Sequence, residues 1–335
     1  MACSHGNVLL GDIGATNARF ALLSNGVLGP IKYFAVAEFP RFPDVVDAFF
    51  DSDRRRTSGV RQATFAVAGP VDEDRCVFTN CPWTIDAHEL CTEFGLSEVR
   101  LCNDFEAAAL SLPYLAAADL YRLGGGEAVG GAPMAVLGPG TGLGVACLVS
   151  GSRGSIAIAT EGGHATMAAT SRREDAIIDY LRREFGHVSA ELVVSGAGLE
   201  NLYRAVVALD GVDALQRDAA EITTAALNGE CPIARASLEL FCEMLGTIAG
   251  NVALTFGARG GVYIGGGIAP RITDFIARSD FRARFEHKGR FRTYLEAIPS
   301  SVIMHPAVTF IGLIAIADRA PDAISGPHRS HSERR

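Results

Sequence analysis

Twice in this chain an apolar run enters a glycine-rich turn and is followed at once by a second run of β type. The segments are NVLLGDIGATNARFALL, from Asn7, and MAVLGPGTGLGVACLV, from Met134. In the first, Asn7–Leu10 reads as a strand, GDIGATN as the turn and Phe20–Leu23 as the returning strand; in the second, Met134–Leu137 and Val145–Val149 flank Gly138, Gly140, Gly142 and Gly144. Strand, tight glycine turn and strand predict a hairpin. A dinucleotide-binding turn needs a helix directly after its glycines, so the β-type runs argue against that arrangement. Two copies of one unit predict an internal repeat, each copy opening one domain.

The rest of the chain alternates strands with helices. Ala63–Val71 (ATFAVAGPV) reads as a buried strand ending in Gly-Pro, and EVRLCNDF as a strand running into a helix capped by Asn103, with Glu106 three residues on as its capping-box partner. Ser171 and Glu174 form a second predicted box ahead of AIIDYLRREFG, in which Ile177, Leu181 and Phe185 share a face and Gly186 stops the helix. GGVYIGGGIAP is a strand entering a triple-glycine turn, and Ala307–Ala320 reads as a helix with Phe310, Ile314 and Ala317 on one side. Residues 321–335 have little to bury and are expected to be disordered. This alternation predicts an α/β protein with mixed central sheets and a cleft between two domains.

Composition removes several classes of function. At 335 residues the chain is long enough for two domains. With 48% hydrophobic and 20% charged residues and a mean hydropathy of +0.21, it reads as a packed protein without disorder in its body. No apolar run approaches the roughly 20 uninterrupted residues of a membrane span, and the N-terminus lacks a basic region with an apolar stretch behind it. A cytoplasmic location with no membrane partner is expected. The net charge of −8 and the absence of a basic block argue against a nucleic-acid partner. Eight cysteines occur without a CxxC pair, which predicts reduced, mostly buried thiols and no structural zinc. Only Lys32 and Lys288 are lysines, so 28 of the 30 basic residues are arginine. Neither lysine sits in a GxxxxGK[ST] loop, so any phosphate must be bound by backbone and dipole.

The candidate chemistry follows from these loops. Glycines permit φ > 0 and let backbone N–H groups approach an anion; Thr16 and Thr141 each add a hydroxyl donor. Two such hairpins facing each other would hold a polyphosphate, with Asp12 as an outer ligand of Mg²⁺ through water. Gly265–Gly267 supply a third glycine turn. Asp104, where a strand meets a helix N-terminus, is placed to accept a proton from an alcohol attacking phosphorus, and its neighbour Asn103 can cap the helix or bind a hydroxyl. Glu161 and His164, across a glycine pair, and Glu191 suit the vicinal hydroxyls of a sugar; Glu161 and His164 could also form a metal pair, though no further His or Cys lies at ligand spacing.

In this order, the motifs GDIGATNARFAL, NDFEA, GPGTGLGVA, EGGH, HVSAE, SGAGLENLYRA, GGVYIGGGIAPR and FRARFEHKGRF resemble the bacterial glucokinase family of the hexokinase/actin-like (ribonuclease H-like) superfold, from about Asn7 to Ala317. The resemblance implies two α/β domains, residues 1–114 plus 305–320 and residues 115–304, with an interdomain cleft that closes over the sugar. It implies that Gly11, Asp12, Ile13, Gly14, Ala15 and Thr16, with Gly138, Gly140 and Thr141, bind the phosphates of ATP, and that Gly265, Gly266 and Gly267 belong to the adenosine site. Asn103, Asp104, Glu161, His164 and Glu191 match the glucose ligands, and Asp104 matches the catalytic base. Mg–ATP, a homodimer and formation of glucose 6-phosphate are implied with them; a kinase of another hexose or a broad-specificity hexokinase, and a nucleotide-dependent regulator that transfers nothing, are the alternatives. The sequence departs from the family pattern at Ala15, where glycine is usual, and at Thr166, where an acidic residue is frequent. The related ROK kinases and repressors carry a zinc-binding cysteine cluster after their acidic-Gly-His element, and only Cys231 and Cys242 follow His164 here.

Overall fold

The computed structural model describes residues 7–52, 57, 59–78, 81–152 and 154–318; the tail expected at 321–335 lies outside the described residues. The chain separates into two compact units, the described parts of Met1–Ser111 with Ala307–Arg335, and Leu112–Pro306.

In the first unit, β1 (Val8–Ile13), β2 (Asn17–Ser24), β3 (Val27–Leu28), β4 (Lys32–Ala35), β5 (Gln62–Val67) and β8 (Glu98–Asn103) form a sheet of order β3-β2-β1-β5-β8, with β4 on β2. β6 (Arg75–Val77) and β7 (Thr84–Asp86) make a separate ribbon. β1 pairs antiparallel with β2 and parallel with β5, and β5 pairs parallel with β8. Every residue of β1 is buried, as a central strand covered on both faces requires. The strand runs three residues past the predicted Leu10, so Gly11 and Asp12 are strand residues and the turn shrinks to Gly14–Thr16. Gly11 lets this happen: a Cβ there would stand 2.6 Å from the Phe65 ring. The core includes edge-to-face aromatic pairs such as Phe42–Phe65 at 5.3 Å. Trp83 is buried in it, its indole N–H donating to the Phe39 carbonyl at 2.9 Å.

The helix Asp104–Ser111 follows β8 directly, and the C-terminal helix Val308–Ala317 belongs to the same unit. The buried face of the latter is Thr309, Phe310, Gly312, Leu313 and Ile316, with Ile314 and Ala317 only half-buried. The expected Phe310–Ile314–Ala317 stripe is therefore rotated. Gly312 sets the rotation, because a side chain there would collide with the carbonyl of Ala107 on the helix Asp104–Ser111.

The second unit repeats the strand order. β9 (Leu120–Gly124), β10 (Met134–Pro139), β11 (Leu143–Gly151), β12 (Gly154–Thr160), β13 (Val262–Ile264) and β14 (Ser300–Ile303) run β12-β11-β10-β13-β14-β9. β10 pairs antiparallel with β11 and parallel with β13, and β13 pairs parallel with β14. The core packs around Pro232–Phe256, a 25-residue helix absent from the sequence expectations. It is long and apolar enough to cross a membrane, yet 72% of its most apolar window is buried in the protein, as a core helix must be.

The helix Arg172–Phe185 begins at Ser171, whose hydroxyl accepts from the Glu174 amide at 3.2 Å, and stops at Gly186 with φ 73°. Two expectations change. Phe185 is 38% exposed. Glu174 does not complete a box: it is fully buried, accepts from the Thr170 amide (2.6 Å) and hydroxyl (3.0 Å), and pairs with Arg284. A buried carboxylate must have its charge paired and its oxygens hydrogen-bonded, and Arg284 and Thr170 together do this.

Candidate active site

The first unit brings two of the predicted groups to one edge of its sheet. Ile13, Val67 and Asn103 stand in one register row at the carboxyl ends of β1, β5 and β8, the edge at which open α/β sheets bind ligands. At about 4.8 Å between strands, Asn103 lies roughly 10 Å from Ile13. Asn103 caps the helix Asp104–Ser111, its Oδ1 accepting from the amides of Phe105 (2.9 Å) and Glu106 (3.3 Å). Its Nδ2 donates to the Gly69 carbonyl at 3.2 Å, which leaves one amide hydrogen for a hydroxyl. Asp104 is the first helical residue and half-buried, and its Oδ1 accepts from the Phe105 amide at 2.9 Å. Around it the field is acidic. The thiol of fully buried Cys102 is held well above its usual range, first by burial and then by the charges of Glu106, Asp104 and Asp12.

Asp12 has a partner that the sequence reading missed. Its carboxylate is 8% exposed at residue level and forms an ion pair with Arg19, directly opposite on β2. The hairpin signal carries this information: once Ile13 pairs with Ala18, Asp12 and Arg19 must be cross-strand neighbours.

In the second unit the predicted groups converge. Glu191 joins the two parts. Its Oε2 accepts from the Leu143 amide at 2.8 Å, beside the turn Gly140–Gly142, and its own amide donates to the Gly163 carbonyl at 2.9 Å, inside the turn that carries Glu161 and His164. Glu161 Oε2 and His164 Nε2 stand 3.8 Å apart, both exposed. The turn after β13 docks on the same hairpin: the amides of Gly265 and Ile268 donate to the carbonyls of Leu137 (2.8 Å) and Pro139 (3.2 Å). The helix Gly196–Asp210 joins as well, the Gly196 amide donating to the Gly140 carbonyl at 2.8 Å. Thr16 and Thr141 are both exposed at their turns.

The hairpin glycines do not play the conformational role expected of them. Gly11, Gly14, Gly138 and Gly140 keep φ outside the left-handed region, and of the glycines proposed for the phosphate and adenosine loops Gly266 alone enters it, at 77°. Their function is close approach: a Cβ on Gly142 would overlap the Glu191 carboxylate, and one on Gly163 the Leu143 carbonyl oxygen. Ala15 therefore carries no backbone penalty, since it too keeps φ negative. Thr166 bonds His187, Oγ1 to Nε2 at 2.9 Å. Among the described residues no three or more His, Cys, Asp or Glu side chains gather as a metal cage. A single carboxylate with one oxygen engaged, as at Asp12, fits an outer contact to a Mg²⁺ ion that arrives with a nucleotide.

One strand order used twice, each time led by a glycine hairpin with a second polar turn beside it, defines a two-domain α/β protein of the hexokinase-like class. Within that class the chain belongs to the glucokinase family, whose model matches residues 9–320. A glucokinase from Paramagnetospirillum magneticum is 45% identical over 314 residues, covering 92% of this chain and 97% of its own length. One from Aromatoleum aromaticum is 43% identical over 314 residues, covering 93% and 95%. The crystal structure of a glucokinase from an Antarctic psychrotroph aligns with a TM-score of 0.83 at 36% identity, over 93% of this chain and 98% of that one.

Proposed function

We propose that the protein phosphorylates glucose with ATP, giving glucose 6-phosphate by direct transfer. The observation that carries this reading is Glu191, one residue whose carboxylate is tied to the glycine hairpin of a phosphate site and whose backbone amide is tied to the turn bearing Glu161 and His164. Glu161, His164 and Glu191 bind sugar hydroxyls, each carboxylate accepting two hydrogen bonds, and Asn103 offers its remaining N–H to another. Asp104, held at a helix N-terminus, accepts the proton of the attacking hydroxyl. The hairpins Gly11–Thr16 and Gly138–Thr141 hold the phosphates and Gly265–Gly267 the adenosine. Asp12 faces the Mg²⁺ of the nucleotide, which when bound neutralises phosphate charge. We place the enzyme in the cytoplasm as a homodimer on the family resemblance.

The test is Asp104→Asn in an assay coupled to glucose 6-phosphate oxidation. Loss of a general base lowers kcat by about 10²–10⁴-fold, with glucose affinity by calorimetry close to the original. A variant that keeps near-normal kcat removes Asp104 from the role. An assay coupled to ADP release, run across glucose, mannose, fructose and N-acetylglucosamine, fixes the sugar.

A further inference from the structure

An ion pair at the end of a buried strand needs a reason. Asp12 is the one charged residue of β1, whose other members are apolar or glycine. A part-buried pair contributes little stability beyond what two apolar side chains would give, so packing alone does not account for it. Two details of the pair are informative. Nη2 of Arg19 reaches Oδ2 of Asp12, which leaves Oδ1 outside the pair. The guanidinium carbon lies 5.9 Å from the centre of the Phe310 ring, on the C-terminal helix. Arg19 is thus held between a carboxylate and an aromatic face, an arrangement that suits a planar cation and that a lysine cannot reproduce.

We propose that Arg19 is a positioning residue for nucleotide binding. It supplies the opposite charge that a carboxylate at this depth requires, and it fixes the rotamer of Asp12 so that Oδ1 is presented to the divalent cation carried by a nucleoside triphosphate. Arg19 acts through Asp12 and does not itself contact phosphate. This rests on the reading of Gly11–Thr16 as a phosphate-side hairpin.

The experiment compares the full-length protein with R19M, R19K, D12N and D12N/R19M. Calorimetry without glucose reads the affinity for a non-hydrolysable Mg–ATP analogue; glucose titration and a thermal melt run alongside. R19M weakens the nucleotide about tenfold or more, R19K recovers part of the loss, and glucose affinity stays within about twofold. On the D12N background R19M adds nothing, because the carboxylate it positions is gone. A folded R19M or R19K with unchanged nucleotide affinity overturns the proposal. So does a loss on D12N as large as on the wild type, which would mean direct contact with phosphate. Failure of the wild type itself to phosphorylate glucose or bind nucleotide would count instead against the underlying reading.

Discussion

Gly142→Ala is the substitution whose consequence the structure defines most closely. A Cβ at Gly142 would overlap Oε2 of Glu191 and stand 3.2 Å from its Cδ. The φ of Gly142 lies outside the left-handed region, so alanine meets a collision and no backbone penalty. Because the obstacle is the far end of a side chain, the fold yields by turning Glu191 away. That breaks the 2.8 Å bond from the Leu143 amide. A hydrogen bond to a charged group contributes roughly 1.5–3 kcal/mol. Glu191 is only half-buried, so the released carboxylate regains water and the net loss falls to about 1–2 kcal/mol.

If Glu191 holds the sugar, this displacement raises the glucose KM by about 5–30-fold, at tenfold per ~1.4 kcal/mol. The melting temperature drops by roughly 2–8 °C for a unit of this size. Steady-state assays over a range of glucose, with a thermal scan on the same preparation, read both. Gly163→Ala is the control. Its Cβ would meet the Leu143 carbonyl oxygen, which is backbone and cannot swing aside, so that variant loses the fold. A Gly142→Ala enzyme whose melting point falls as stated while its glucose KM stays within about twofold would refute the assignment of Glu191 to the sugar.

Two further outcomes follow from the second unit's charges. Glu174→Ala leaves Arg284 with the half-buried Glu243, whose carboxyl burial already pushes up, as its remaining ion partner and removes the acceptor of the Thr170 amide and hydroxyl; urea unfolding is expected to show a loss of about 1–3 kcal/mol, and Glu174→Gln a smaller one. Lys288, bonded to the Thr247 carbonyl (2.9 Å) and Asn251 Oδ1 (2.7 Å), has its ammonium pulled down from 10.5 to about 8, first by burial and then by Arg284. Below pH 8 the group is protonated folded or unfolded. Between about 8 and 10.5 the unfolded chain holds more protons, so this residue's contribution to stability rises with pH there. The difference in urea midpoint between wild type and Lys288→Met should shift in favour of the wild type across that window; a flat difference refutes it.

The hairpins, the strand-to-helix step at Asn103 and the caps at Ser171 and Gly186 were legible because each is set by a few adjacent residues. The misread features depend on residues distant in the chain. The face of the helix Val308–Ala317 is turned by Gly312 against Ala107, a contact across two hundred residues that no helical periodicity contains. Glu174 looks like a box partner until Arg284, 110 positions away, is packed beside it. The helix Pro232–Phe256 went unread because its core face includes Gly246 and Gly250, which lower local propensity; a side chain at either would strike the backbone of Phe281 or Phe285. In the site, residue types were legible, but the link from Glu191 to Leu143 and Gly163 was not, since it joins three separate segments.

The carboxylate at Asp12 gains its meaning from the second copy of the hairpin. Counting back from the last paired residues, Ile13↔Ala18 in one unit and Pro139↔Leu143 in the other, the Asp12–Arg19 pair corresponds to Gly138–Gly144. The two copies use that position oppositely. In the second unit, Gly266 comes so close that its Cβ would stand 2.9 Å from the Gly138 carbonyl carbon and overlap the Pro139 oxygen, so the triple-glycine turn packs on bare backbone. In the first unit the corresponding turn is Ala68–Gly69–Pro70, the Ala68 amide donates to the Ile13 carbonyl at 3.0 Å, and the strand end carries a fixed ion pair. A duplicated scaffold has thus put charge at one hairpin and close backbone approach at the other. Phosphate chemistry needs both a group that faces a cation and a surface of amides that faces an anion, and one hairpin position cannot be filled and cleared at once.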